Sequence, residues 1–164
     1  MANTEKLVIR SERVSFMDVD GKPTRMTKFT AMTPAKNPKE YSRQYVDMAT
    51  ETTDVIGYAP SIEYNFDKHT ENAVHAKLAQ ISDDELLGTD THVDIVTVDL
   101  FGDSDSKPAI KRTYAVVPSG DSEGVEALKY AGTFKAVSDI VKGTATSADG
   151  WKTCTFTETA AAAE

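Results

Sequence analysis

The chain has one cysteine, Cys154, and three histidines, His69, His75 and His92, in 164 residues. A lone cysteine excludes an internal disulfide and any multi-cysteine metal site, and it suits a protein made in a reducing cytoplasm. No apolar run approaches the ~20 residues a helix needs to span a bilayer, so no membrane binding is expected. The opening MANTEKLVIR lacks the basic-then-apolar order of a secretory signal. Positive charge is also short: 18 Lys and Arg stand against 26 Asp and Glu, a net charge of −8. Gripping nucleic acid depends on neutralising phosphates with Lys and Arg, and this balance opposes it. The sign permits the reverse relation, a surface past which a polyanion slides, although plain solubility is the simpler account. The remaining composition, 40% hydrophobic and 27% charged, is ordinary for one globular domain large enough to bury a core.

Catalytic frames are missing too. His69 and His75 are six residues apart and so do not share a helical face as ligands four apart do. His92 sits beside Asp90 and Asp94, but surface residues flanking a helix and a strand explain all three histidines better than a metal. Cys154, in the alternation Lys152, Cys154, Phe156, reads as a small buried core residue without a base to activate it. Gly102-Asp-Ser-Asp-Ser lacks the terminal glutamate and spacing of a calcium loop. No phosphate loop, nucleophile elbow or framed carboxylate pair is present. The expectation is therefore no enzyme, no cofactor and no metal.

Strand signals dominate what is present. Leu7 to Phe16 and Arg25 to Met32 flank an Asp20-Gly21 turn, and Pro34 and Pro38 then stop strand formation. Strand returns over Ile56 to Phe66, with Ile62, Tyr64 and Phe66 on one face and Ser61, Glu63 and Asn65 on the other. The spacing of Val74, Leu78 and Ile81 predicts one helix over Asn72 to Ile81. Ser82-Asp83-Asp84-Glu85 resembles a capping box that opens a short turn over Glu85 to Leu87, ended by Gly88. Val93 and Ile95, then Val96, Val98 and Leu100, change phase within one strand, which implies a bulge or two covered faces. Further strands are expected at Ile110 to Val117, Gly132 to Val141 and Trp151 to Thr157. Loops are expected at Gly102 to Pro108 and Pro118 to Gly124, and a tip at Ala148-Asp149-Gly150. This pattern predicts a mainly β protein, an antiparallel two-sheet sandwich or barrel with one flanking helix. It forms a single domain over 1–158, with a fraying alanine-rich tail at 159–164.

The segment YSRQYVDMATETTDVIGYAPSIEYNFD (Tyr41 to Asp67) stands apart. Up to about Thr53 it shows neither strand alternation nor a helical stripe, yet its tyrosines, methionine and valines are unlike a disordered run. An ordered arm at about 34–55, rich in Tyr and Arg, has the composition of a contact surface; a loop folded back on its own domain is the other reading. Tyr41, Arg43, Tyr45, Val46 and Asp47 are its candidate anchors. On the strand after the helix, Asp94 and Asp99 interrupt an apolar segment. They read either as a solvated face that deters edge pairing or as the lining of a channel.

Three segments together resemble a phage major tail tube protein of the long-tailed, siphovirus-like type: the arm with its following strand, NAVHAKLAQISDDELLGTDTHVDIVTVDLF, and GTFKAVSDIVKGTATSADGWKTCTFTE. They cover about half of the chain. The resemblance implies a tail tube fold whose copies form hexameric rings, stacked into a conduit for DNA, with inner strands joined into a continuous barrel. Asp94 and Asp99 would then be lumen-facing acids that keep DNA from sticking, and the arm would reach an adjacent subunit or ring. It also implies further tail partners (tape measure, terminator and distal tail proteins) and a place in the virion tail after assembly in the bacterial host cytoplasm. From another class, a small monomeric β-sandwich module binding carbohydrate or a protein would need an aromatic platform. Trp151, Tyr58 and Tyr130 are the candidates for one.

Overall fold

In the computed structural model, which describes residues 5–121 and 125–159, alternation of apolar and polar side chains sets most of the strands. These are β1 (Arg13–Val19), β2 (Lys22–Arg25), β3 (Phe29–Ala35), β4 (Pro38–Arg43), β5 (Thr52–Tyr58), β6 (Ser61–Asp67), β7 (His92–Asp99), β8 (Lys107–Asp121), β9 (Lys129–Ala136), β10 (Val141–Thr146) and β11 (Thr155–Glu158). The helix α1 (Ala73–Asp83) lies between β6 and β7. All strands but β4 and β5 join one curled antiparallel sheet in the order β2-β1-β7-β8-β9-β6-β3, with β10 on β8 and β11 on β10. Among the described residues, β4 and β5 pair only with each other. The expected mainly β fold with one flanking helix is what forms, with the two walls of the sandwich supplied by one sheet that curls over.

β8 organises this curl. One of its edges pairs with β7; the other pairs with β9 over Tyr114 to Asp121 and with β10 over Lys107 to Lys111. The single strand expected over Gly132 to Val141 is therefore two, laid end to end along β8. The break falls where Ser138 Oγ accepts the Thr113 N–H at 3.0 Å in place of a ladder carbonyl. A second closure follows from the segment after β10. Arg25 N–H donates to the Lys152 carbonyl and Cys154 N–H to that of Pro23, so β2 meets the approach to β11 and a small barrel closes. The 147–154 connection is held by its own polar side chains: Asp149 accepts from both the amide and the hydroxyl of Thr153, and Trp151 N–H donates to Ser147 Oγ. The Thr153 bonds, with help from Ser147, hold the Asp149 carboxyl well below the usual carboxylate range.

The phase change in β7 is resolved here. Its ladders to β1 and β8 run without a register shift, so no bulge forms and neighbouring residues point to opposite faces. Ile95 and Val93 pack with Met17, Tyr64, Phe66, Phe134 and the buried side of α1. Val96 and Val98 pack with Val14, Phe16, Ala109, Ala145 and Cys154 inside the barrel. One strand thus serves two cores. Cys154 is buried as expected, and burial, reinforced by the nearby Asp149 charge, pushes its thiol up to about 11. Two glycines permit the close packing. A Cβ on Gly132 would meet the Tyr64 hydroxyl at 2.7 Å, and one on Gly143 would meet the Phe156 ring at 2.7 Å. Tyr64 lies across Gly132, and burial raises its hydroxyl to about 12.

Several sequence expectations are corrected. Residues 5–12 are not strand, and Met26 to Lys28 interrupts the run expected from Arg25 to Met32. Pro34 does not stop β3: at the end of the sheet its missing N–H costs no ladder bond on the open edge. Ser82 to Glu85 ends α1 rather than starting a turn, because Asp84 N–H caps Gln80 and Glu85 takes φ +50°. β8 runs through Pro118 to Asp121, a span expected to be loop; the rest of that loop at 122–124, and the tail from 160, lie outside the described residues.

His75 is the other correction, since it is fully buried rather than a surface residue. Asn72 caps α1 by accepting the His75 N–H, and the His75 ring stacks on Phe66 at 4.4 Å. The amide of His69 donates to Nδ1, so Nε2 carries the proton and donates to the Thr27 carbonyl at 2.8 Å. A second proton would set two N–H groups against each other. Burial lowers the His75 pKa, partly opposed by the Thr27 bond. The unfolded chain therefore takes up a proton first as pH falls, and folded stability is complete above the ordinary histidine value of about 6.5 and declines below it. Urea midpoints measured from pH 7.5 to 5 are expected to fall, and the His75→Gln variant is expected to show a flatter dependence. An equal slope in both would place the titration elsewhere.

Candidate assembly surface

The arm is a β-hairpin. Its neck is closed by Asn37 and Ala59: the Ala59 N–H donates to the Asn37 carbonyl, and the Asn37 amide donates back to the Ala59 carbonyl at 3.0 Å. β4 and β5 then run out from the main sheet, with a register shift between Lys39 and Glu40 that leaves Ile56 as the extra residue. Every residue of β4 is exposed, and so is every residue of β5 except Gly57. This explains why the sequence showed no alternation over Tyr41 to Thr53. Alternation records one buried and one wet face, and here neither face is buried by the chain itself.

The five candidate anchors all lie on this hairpin. Tyr41 and Arg43 share a face of β4, where Arg43 Nε donates to the Tyr41 hydroxyl at 2.8 Å and the guanidinium lies 5.6 Å from the ring centre. Tyr45, Val46 and Asp47 form the tip, a turn held by Met48 N–H to the Tyr45 carbonyl and by the Gln44 amide to the Met48 carbonyl. Val46 is fully exposed. Sequence reasoning missed Val55 and Ile56, which are also exposed and extend the apolar surface along β5 to Tyr58. The signal that could have found them is a β-branched pair next to an arm with no buried face.

Asp94 and Asp99 are separated by an odd step on an unbulged strand, so they stand on opposite faces of β7. Asp94 is on the face that α1 leaves uncovered, where it accepts from the Thr113 hydroxyl at 2.5 Å and lies 3.7 Å from Lys111 Nζ. Register places Ser61, Glu63, Asn65 and Lys135 on that same broad polar face. Asp99 faces the other way and binds Arg13 Nε at 2.6 Å; this hydrogen bond and the charge attraction raise the Arg13 pKa. The pair expected to line one channel wall is thus divided, and only one of the two can face a given wall.

No family model and no curated protein matches this sequence. Solved structures do match. The SPP1 tail tube aligns with a TM-score of 0.67 at 12% identity, over 86% of this chain and 81% of that one. The tail of an empty gene transfer agent particle, refined with C6 symmetry, aligns at 0.57 and 10% identity, over 82% and 97%. The anti-feeding prophage baseplate, 6-fold symmetrised, aligns at 0.51 and 6% identity, over 85% and 97%. The chain has the tail tube fold.

Within the tail tube fold, the remaining sequence candidates do not gather into a site. Tyr130 is buried in the α1 core, where its hydroxyl donates to Asp83; Trp151 is half-buried against Phe16 at 6.2 Å; Tyr58 is exposed on the hairpin. The aromatic platform that a carbohydrate-binding module needs is not assembled from these three. In the Gly102 loop, the Lys107 ammonium donates to the Gly102 carbonyl at 2.6 Å. Among the described residues, no three His, Cys, Asp or Glu side chains are placed to hold a metal.

Proposed function

We propose that this chain is the structural subunit of a phage tail tube, working by self-assembly rather than by catalysis. Copies close into hexameric rings, and the rings stack into a conduit through which DNA is delivered. The observation that carries this reading is the β4–β5 hairpin, which displays Tyr45, Val46, Met48, Val55, Ile56 and Tyr58 to solvent. A two-stranded hairpin by itself is marginal in water, and large apolar side chains gathered on one exposed hairpin support a contact with another chain. The fold supports the tube, and the six-fold symmetry of the gene transfer agent tail and the anti-feeding prophage baseplate supports the hexamer. The other partners are further tail proteins, namely tape measure, terminator and distal tail proteins. The protein is assembled in the host cytoplasm and resides in the virion tail.

Negative-stain microscopy with sedimentation over a range of concentration is expected to show rings or tubes. A protein that stays monomeric at every concentration and salt would end this reading. The net charge of −8 supports a lumen that does not hold DNA, and the polar face bearing Asp94 is the wall proposed for it. In virions carrying Asp94→Lys, genome ejection is expected to slow several-fold, whereas Asp99→Lys, on the opposite face, is expected to leave it near wild type. Equal ejection by all three would remove the acidic-lumen role from Asp94.

A further inference from the structure

Past the end of the core that α1 covers, the inner face of the curled sheet opens into a cleft of about 190 Å3. Met32 on β3 and Ile62 on β6 line one side; Arg112 and Tyr114 on β8 line the other. Small-molecule sites typically enclose about 300–1,000 Å3, so a cleft of this size suits one or two side chains of a protein segment. Its chemistry is apolar and cationic together. Arg10, Arg13, Lys36 and Arg112 border it, and no Asp or Glu does among the described residues. Arg13 is paired with Asp99. Arg112 differs: its Nε is buried and has no hydrogen-bond partner among the described residues. A buried N–H left without an acceptor is unfavourable, and this one belongs to a group that pairs best with a carboxylate.

We infer that this cleft receives the hairpin tip of a second copy, with Asp47 accepting from Arg112 and Val46 and Met48 filling the apolar lining. Charge complementarity selects this occupant. From Gln44 to Asp54 the chain carries Asp47, Glu51 and Asp54 and no Lys or Arg, while Tyr45, Val46 and Met48 are exposed among them. Geometry selects a second copy over the same chain. Lys36 and Pro60, on either side of the Asn37–Ala59 neck, line the cleft, so the hairpin is rooted beside it and runs outward. Six paired residues at about 3.3 Å each hold the tip roughly 20 Å from its own cleft. Tip-to-cleft contact is head-to-tail, the kind of interface that closes into rings or continues as filaments. The inference rests on the self-assembly reading above and names the surface that receives the arm.

Two single-cysteine additions test it independently of tube morphology. Val46→Cys and Ile140→Cys (Ile140 borders the cleft and is partly exposed) are made in separate chains, mixed, and treated with a short bismaleimide. The equimolar mixture is expected to give cross-linked dimers in up to about half of the protein, the ceiling when each tip meets the other variant's cleft half of the time, and either variant alone in only a few per cent; native Cys154 is buried and serves as the background. Arg112→Glu and Asp47→Arg are each expected to raise the concentration needed for assembly at least about tenfold, and the double variant to return it to within about threefold of wild type. Wild-type assembly with no Val46–Ile140 cross-link in the mixture would overturn the cleft assignment and leave the tube reading standing. Cross-linking of Val46→Cys to itself would replace head-to-tail contact by a symmetric one and overturn it as well. A wild-type protein that never leaves the monomer overturns both.

Discussion

Replacing residues 41–53 by a short glycine linker is expected to abolish assembly while leaving the domain folded. The hairpin contributes no side chain to either buried core, and its neck is already closed by the reciprocal Asn37–Ala59 bonds. The remaining stubs of β4 and β5 therefore start next to each other, and the added loop-closure cost is small. The thermal midpoint should shift by no more than about 3 °C, the equivalent of roughly 1 kcal/mol for a chain of this length. Assembly behaves otherwise, because the deletion removes Tyr41, Arg43, Tyr45, Val46, Asp47 and Met48 at once. Rings and tubes should be absent by electron microscopy at concentrations where wild type forms them. If the deleted form stacks normally, the hairpin is decoration and the contact lies elsewhere. If it fails to fold, the hairpin supports the domain in a way the cores do not reveal.

The opposite pattern is expected for Phe134→Ala, which should impair folding first. Phe134 is fully buried on β9, opposite Ile62 of β6 and Val116 of β8, with its ring 4.6 Å from that of Tyr64 and 6.3 Å from that of Tyr114. It bridges the two strands on either side of β9 beneath α1. Truncation leaves a cavity in a sheet that cannot collapse without breaking register, and losses of about 3–5 kcal/mol are typical for such changes. Against a total of about 5–15 kcal/mol, that is a large share, and the thermal midpoint should drop by on the order of 10 °C. Val46→Ala at the hairpin tip is the matched control and should stay within about 0.5 kcal/mol. A Phe134→Ala protein that melts within 2–3 °C of wild type would show that the β9 core is more plastic than its packing indicates.

Much of the fold was legible because burial leaves a periodic trace. Ile62, Tyr64 and Phe66 alternate with polar residues, and β6 has that orientation. Val74, Leu78 and Ile81 recur at helical spacing, and α1 buries them. The double phase in β7 correctly offered two covered faces as one of two readings. Errors arose where distant partners decide. Pro34 is tolerated because β3 happens to be an edge strand; Ser82 to Glu85 ends a helix because Glu85 can adopt a left-handed backbone there; His75 is buried because Thr27 and His69 supply partners for both ring nitrogens. The hairpin escaped the strand reading for a related reason, since a segment with two wet faces has no inside to alternate with.

The sequence by itself determined the class of fold: an acidic, mainly β domain with one helix. From residue types alone it also marked the arm as ordered, and left open whether the arm packs on its own domain or contacts another chain. Tertiary structure decided what those types can do. It set Asp94 and Asp99 on opposite faces, dispersed Trp151, Tyr58 and Tyr130, and carried the arm outward as a paired hairpin rooted beside a cationic cleft. The reason is that side-chain chemistry and local periodicity are written residue by residue, whereas a face, a cleft and a reach exist only once strands from far apart in the chain have taken their register.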